Sequence, residues 1–223
     1  MAKKINFLIT NWMKEHNLLP DKEKYSGLKL IPEYLRVANR WMHQIILFIA
    51  SLALGVMILL VALNVSIRYL TTKGGIPWIE EVPGLLVTLF AFLALAMGVR
   101  DHMHVSVNII YNLFPKNGIV RKIIYTFGDI CVLICGIALL YYGSNYVAKL
   151  MRVTGTLPMT GLRTYWQYIP APIAGFVITF DSILFLLGIL DPEDYLYSEK
   201  EIDYTEQVIH AKKEHKIKIK KED

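Results

Sequence analysis

The sequence predicts an all-α integral membrane protein with four transmembrane helices and amphipathic helices along the cytoplasmic face. Three observations lead there. Of the 223 residues 54% are apolar and only 19% charged, against roughly 45–50% and about 25% in ordinary soluble domains. Four windows contain no Asp, Glu, Lys, Arg or His: 44–67, 82–99, 130–148 and 164–180. The third and fourth reach 26 and 27 residues when one aspartate is admitted in each, and about 20 apolar residues cross a bilayer core as a helix. The third observation is the uneven placement of Lys and Arg. Eight precede the first span, four lie between spans two and three, and seven are in the C-terminal tail, whereas the other two loops hold two and three. Basic residues near span ends stay cytoplasmic, so both termini are expected inside. This pattern excludes a soluble enzyme domain and a secreted disulfide scaffold. The net charge of +5 sits in flanks and loops, so no nucleic-acid partner is expected.

The elements follow in order. Residues 1–40 form a cytoplasmic N-terminal extension. Its first 27 residues read as a flexible tail. Ile31, Leu35 and Ala38 then recur at helical spacing between Arg36 and Arg40, which predicts a short amphipathic helix on the inner surface leading into span one. The membrane domain covers 41–190, with spans at about 43–68, 79–100, 123–148 and 165–190. The first apolar run is too long, and starts too far into the chain, for a signal peptide. After span two, Val107, Ile110 and Phe114 suggest a second interfacial helix, broken by Pro115 and Gly118. Pro170 and Pro172 predict a kink in span four or a late start. Residues 191–223 form a charged cytoplasmic tail with ten acidic and seven basic residues. Trp41, Trp78 and Trp166 stand near span edges, where indole rings favour the headgroup level and anchor against membrane lipids.

Ionisable groups inside spans are candidates for function. Asp129 lies seven residues past Lys122, roughly 10 Å in, and Asp181 ten residues before Asp191, roughly 15 Å in. Both fall in the inner half of the bilayer. They face one another or a cation on a partner, as a proton or sodium site or as a helix-to-helix hydrogen bond. On the outer side, Arg68 closes span one while Glu80 and Glu81 open span two, so an ion pair or a partner-docking cluster is expected there. His43, His102 and His104 sit at inner ends and read as interfacial. None supplies the matched pair inside spans that a b-type haem needs. Cys131 and Cys135 read as small packing side chains. No cofactor or metal is expected, and nothing resembles a catalytic triad, a Walker loop, a zinc motif or a GxxxG dimer.

Three stretches carry a family resemblance. They are Asn64-Val-Ser-Ile-Arg68-Tyr, then Gly75-Ile-Pro77-Trp78-Ile-Glu80-Glu81, then Ala96-Met-Gly98-Val-Arg100-Asp-His-Met-His104-Val-Ser-Val. Together they resemble the small membrane subunit of tripartite ATP-independent periplasmic (TRAP) transporters. Pro172-Ile-Ala-Gly175-Phe176 resembles that family's fourth span. The N-terminal extension and the charged tail are longer than the family pattern. The resemblance implies a non-catalytic subunit in the bacterial inner membrane. Its implied partners are a large multispan transporter subunit and a periplasmic substrate-binding protein. In such systems the large subunit is an elevator for sodium-coupled uptake of an organic anion, and the small subunit widens its scaffold. Two other readings stay open on the residues alone: a self-sufficient ion-coupled carrier using Asp129 and Asp181, and a membrane anchor of a redox enzyme.

The charge count yields a topology prediction. Cysteines placed at Gly74 and Gly155 should react with an impermeant thiol reagent added to intact cells, and cysteines at Gly118 and Thr205 should not. Labelling at Thr205 would reverse the assignment.

Overall fold

The computed structural model describes residues 30–70, 76–101, 119–190 and 196–197, together with Met13. Four long helices make up nearly all of it. They are α1 (Leu30–Leu70), α2 (Pro77–Arg100), α3 (Ile119–Arg152) and α4 (Pro170–Leu186), the last preceded by a 3-10 turn at Thr164–Gln167. All four stretches are long and apolar enough to cross a membrane. Successive helices run in opposite directions. One end of the bundle therefore carries Leu30, Arg100 and Leu186, and the other carries Glu81 and Arg152.

Helix α1 is one unbroken helix of 41 residues, about 60 Å long at 1.5 Å per residue. The amphipathic segment expected at 31–40 is its first turns, not a separate surface helix. Leu35, Val37 and Asn39 turn inward there, and Leu35 packs beside Leu184, Phe185 and Leu190. Helix α2 starts at Pro77, where the missing N–H costs nothing because first-turn donors have no intrahelical partner. The Ile76 N–H beside it donates to Asn64 Oδ1 of α1 at 3.3 Å, closing the α1–α2 connection. Span four does start late. Its first turn is 3-10, and α-helix begins only at Pro170. It also ends early, at Leu186. Gly188 has φ 68°, the Gly188 N–H donates to the Phe185 carbonyl at 2.9 Å, and the Ile189 N–H to that of Leu184 at 3.0 Å. This is the left-handed glycine stop that satisfies the last carbonyls of a helix.

Helix α4 is central: 56% of its apolar window is buried, against 11% for α3. The core runs through Ile46 and Ala50 of α1, Leu93, Ala96 and Val99 of α2, and Ala174, Val177 and Ile178 of α4. Small residues let α3 and α4 approach closely. A Cβ at Gly175 would lie 2.5 Å from the Leu140 backbone nitrogen, and one at Gly136 would lie 2.9 Å from Ile178 Cγ2. Because apolar burial drives little association in lipid, such backbone proximity is what holds membrane helices together. The hydroxyls of Ser51, Ser66, Thr88 and Thr179 each donate to the carbonyl four residues back, at 2.7–3.0 Å. They are satisfied within their own helix, as an apolar solvent requires. Cys131 and Cys135, expected to pack inside, are exposed on α3. The expected interfacial helix at 104–114, residues 1–27, His102, His104 and most of the 191–223 tail lie outside the described residues.

Candidate functional site

The buried polar groups gather at the Arg100 end. Asn39 and His43 are four residues apart on α1, so their side chains lie one above the other on one helix face. Both are 0% exposed, as is Asp181 on α4, and Arg100 of α2 is 1% exposed. Asn39 Nδ2 donates to Asp181 Oδ1 at 2.5 Å. His43 Nε2 reaches both oxygens of Asp181, at 3.1 and 2.9 Å. Arg100 Nε donates to Asn39 Oδ1 at 3.3 Å, which fixes the orientation of that amide. The Arg100 guanidinium also lies over the Phe185 ring, 5.4 Å from its centroid, a cation–π contact between α2 and α4. Three helices are thus tied by one knot of side chains.

A fourth segment closes it. Tyr197 O–H donates to the His43 carbonyl at 2.9 Å, and the same oxygen lies 2.8 Å from His43 Nδ1. The rings meet edge to face at 5.7 Å. Asp101, the residue after α2, accepts the Leu196 N–H on Oδ1 at 2.8 Å and the Tyr197 N–H on Oδ2 at 2.7 Å. Burial, with the Asp181 and Asp101 carboxylates nearby, pushes the Tyr197 phenol well above its usual range, so it stays a neutral donor.

The His43 imidazole thus bridges the Tyr197 hydroxyl on Nδ1 and the Asp181 carboxyl on Nε2. Arg100 and Asp101 bring opposite charges to the same end of the bundle, and a low-dielectric interior tolerates paired, hydrogen-bonded charges far better than isolated ones.

At the other end, Glu81 accepts the Thr160 N–H at 2.6 Å and the Met159 N–H at 3.4 Å. Those amides sit at the tip of a tight hairpin, closed by Leu157 N–H to the Leu162 carbonyl at 2.7 Å and turned at Gly161 with φ 69°. Glu81 therefore ties α2 to the α3–α4 connection, and among the described residues neither it nor Glu80 pairs with Arg68. Arg68 and Glu80 are exposed. In place of the expected ion pair with Arg68, Glu81 holds two backbone amides.

Other expectations are refined. Asp181 is not 15 Å from its helix end. With the stop at Leu186 it is five residues, roughly 8 Å, from that end. Its oxygens meet Asn39 and His43 of this chain. His43, read as interfacial, is the centre of the knot, and its signal in the sequence was the i, i+4 pairing with Asn39. Asp129 is 9% exposed on α3. Trp41, Trp78 and Trp166 are 38%, 48% and 53% exposed. Among the described residues no three His, Cys, Asp or Glu side chains converge on a metal position.

Comparison with known proteins comes last. The family model described as tripartite ATP-independent periplasmic transporters, DctQ component, matches residues 57–191. A Haemophilus influenzae protein named as a TRAP transporter small permease is 29% identical over 154 residues, covering 67% of this chain and 90% of its own length. A second, of the same name and organism, is 31% identical over 134 residues, covering 60% and 79%. The family match includes Arg100, Asp101 and Asp181, whereas Asn39, His43 and Tyr197 lie outside it.

The knot predicts unequal effects at one position. Asp181→Asn keeps an acceptor for Asn39 and a hydrogen-bonding partner for His43 Nε2. Asp181→Leu strands both in a dry interior, at about 1–3 kcal/mol per unsatisfied group. In detergent the Leu variant should lower the thermal midpoint of the full chain by roughly 4–8 °C, and Asn by less than half of that. Equal losses would contradict the hydrogen-bond account.

Proposed function

The chain belongs to the DctQ component family of tripartite ATP-independent periplasmic transporters, and from that premise we propose that it is a non-catalytic small membrane subunit that stiffens and widens the scaffold of a large transporter subunit. It is a TRAP small permease, a multi-pass protein of the inner membrane. In the proposed assembly the large subunit carries the substrate and moves as an elevator. A periplasmic binding protein delivers an organic anion, and sodium drives its uptake. Both termini of the small subunit face the cytoplasm, which puts the knot at the cytoplasmic end and Glu81 at the periplasmic end. Trp41, Trp78 and Trp166 hold these levels against membrane lipids.

The observation that carries this reading is the saturation of Asp181. A transport site needs polar groups free to exchange ligands, commonly at the ends of interrupted helices near the midplane. Here the most buried carboxylate is spent on Asn39 and His43 of the same chain, which makes it a clamp. What faces outward is apolar. Ile123, Phe127, Ile130, Ile134, Ile137 and Tyr141 of α3 recur every three or four residues, all at least 42% exposed. Such a stripe suits lipid or an apolar partner helix. Exposed Arg68 and Glu80 are then available for docking the large subunit or the binding protein.

Purification of the tagged full chain from its native membrane should bring down a larger multispan protein. Uptake of an organic anion into proteoliposomes should require that protein and a binding protein as well. Sodium-dependent uptake by the chain alone would overturn the scaffold reading in favour of a self-sufficient carrier.

A further inference from the structure

We infer that the Arg100 end of the bundle carries a peptide-binding site, formed by Asp101 and His43, whose occupant is the chain's own segment at Leu196–Tyr197, docked as a latch over the buried His43–Asp181 pair. The inference goes beyond the scaffold role and does not depend on it.

The site begins with a residue in an unfavourable place. Asp101 caps the C-terminus of α2 with φ −97° and ψ 16°, where the helix dipole is negative and a carboxylate is disfavoured. It is also only 3% exposed, so water does little to relieve it. Two consecutive backbone N–H groups, one on each oxygen, offset that cost. Hydrogen bonds to an ionised acceptor are roughly twice as strong as neutral ones. The second half of the site reads a side chain. A phenol with one O–H to give and one oxygen to receive fits the His43 carbonyl and Nδ1 together. Leucine or phenylalanine at 197 would fill the space but leave both polar atoms of His43 without that partner. The ligand class is therefore a peptide segment that presents two consecutive backbone N–H groups and a tyrosine.

The occupant reaches the site from a fixed starting point. Arg36 Nη2 and Nε donate to the Ile189 carbonyl at 2.8 and 3.3 Å, pinning the chain just after the end of α4, and Leu190 is 2% exposed. Leu196 and Tyr197 themselves are only half-buried. Among the described residues their docking rests on four polar contacts and one ring contact, which places them at the low end of local stability. Release of the segment would uncover Nδ1 of His43. The latch decides whether the knot is dry.

Hydrogen–deuterium exchange of the full-length protein in nanodiscs tests this directly. In the wild type the amides of 196–197 should exchange at least about tenfold more slowly than in the Asp101→Ala variant. Asp101→Ala should abolish that protection and Tyr197→Phe should reduce it, with α4 protected as before. Diethylpyrocarbonate should leave His43 unmodified in the wild type and acylate it in Asp101→Ala, as read by mass spectrometry. Should Asp101→Ala disturb α4 as well, Tyr197→Phe decides, because it removes one hydroxyl and nothing else. Free exchange at 196–197 in the wild type, or unchanged protection in Tyr197→Phe with α4 intact, would overturn the inference.

Discussion

The buried contact between His43 and Asp181 constrains the rest of this protein. The two side chains are fully buried on different helices, so each needs the other to be tolerated in an apolar interior. Removing either leaves an uncompensated polar group, which costs far more than the pair contributes. Asn39 extends the constraint by accepting from Arg100 while donating to Asp181. The ends of α2 and α4 are thereby fixed against α1 in depth as well as in rotation. Because α4 is the element all this converges on, it sits in the middle of the bundle, and the glycine stop at Gly188 holds its end at the depth Asp181 requires.

The remaining architecture uses different physics at each level. In the middle of the bundle the glycines of α3 and α4 bring backbones together, and contact there is a matter of shape. At the far end Glu81 clasps two backbone amides of the α3–α4 hairpin. Polar ties at both ends and close packing between them give a stiff body with apolar flanks. In the proposed scaffold role that stiffness would serve beside a partner that moves. An apolar stripe along α3 with no polar group in its middle suits a static contact better than a permeation path.

The fold was largely legible in the sequence, because charge-free runs of helical length leave few alternatives in a membrane. The late start of α4 was legible from Pro170 and Pro172. Its early end was not, since Leu187, Gly188 and Ile189 continue the apolar run and only the conformation at Gly188 stops the helix. The site was legible in part. Asp181 stood out as an ionisable group in a span. Its partners did not, because His43 and Asn39 lie where a chain entering the membrane normally displays polar residues to headgroups. The continuation of α1 back to Leu30 is what turns them inward. Asp101 and Tyr197 were illegible for another reason: their contact joins positions 96 residues apart through a segment that reads as solvated tail. Glu81 was noticed for its charge, but charge alone pointed to Arg68, whereas geometry gave it backbone amides.

The claim that the knot holds the bundle is best tested by a double-mutant cycle on the full chain, with His43→Phe, Asp181→Leu and both together, read as unfolding free energy in mixed micelles. Direct pairing predicts that the double variant is less destabilised than the sum of the single variants by about 1 kcal/mol or more. Single-variant losses that add to within about 0.5 kcal/mol would mean that the two side chains do not act as a unit, and the account would fail.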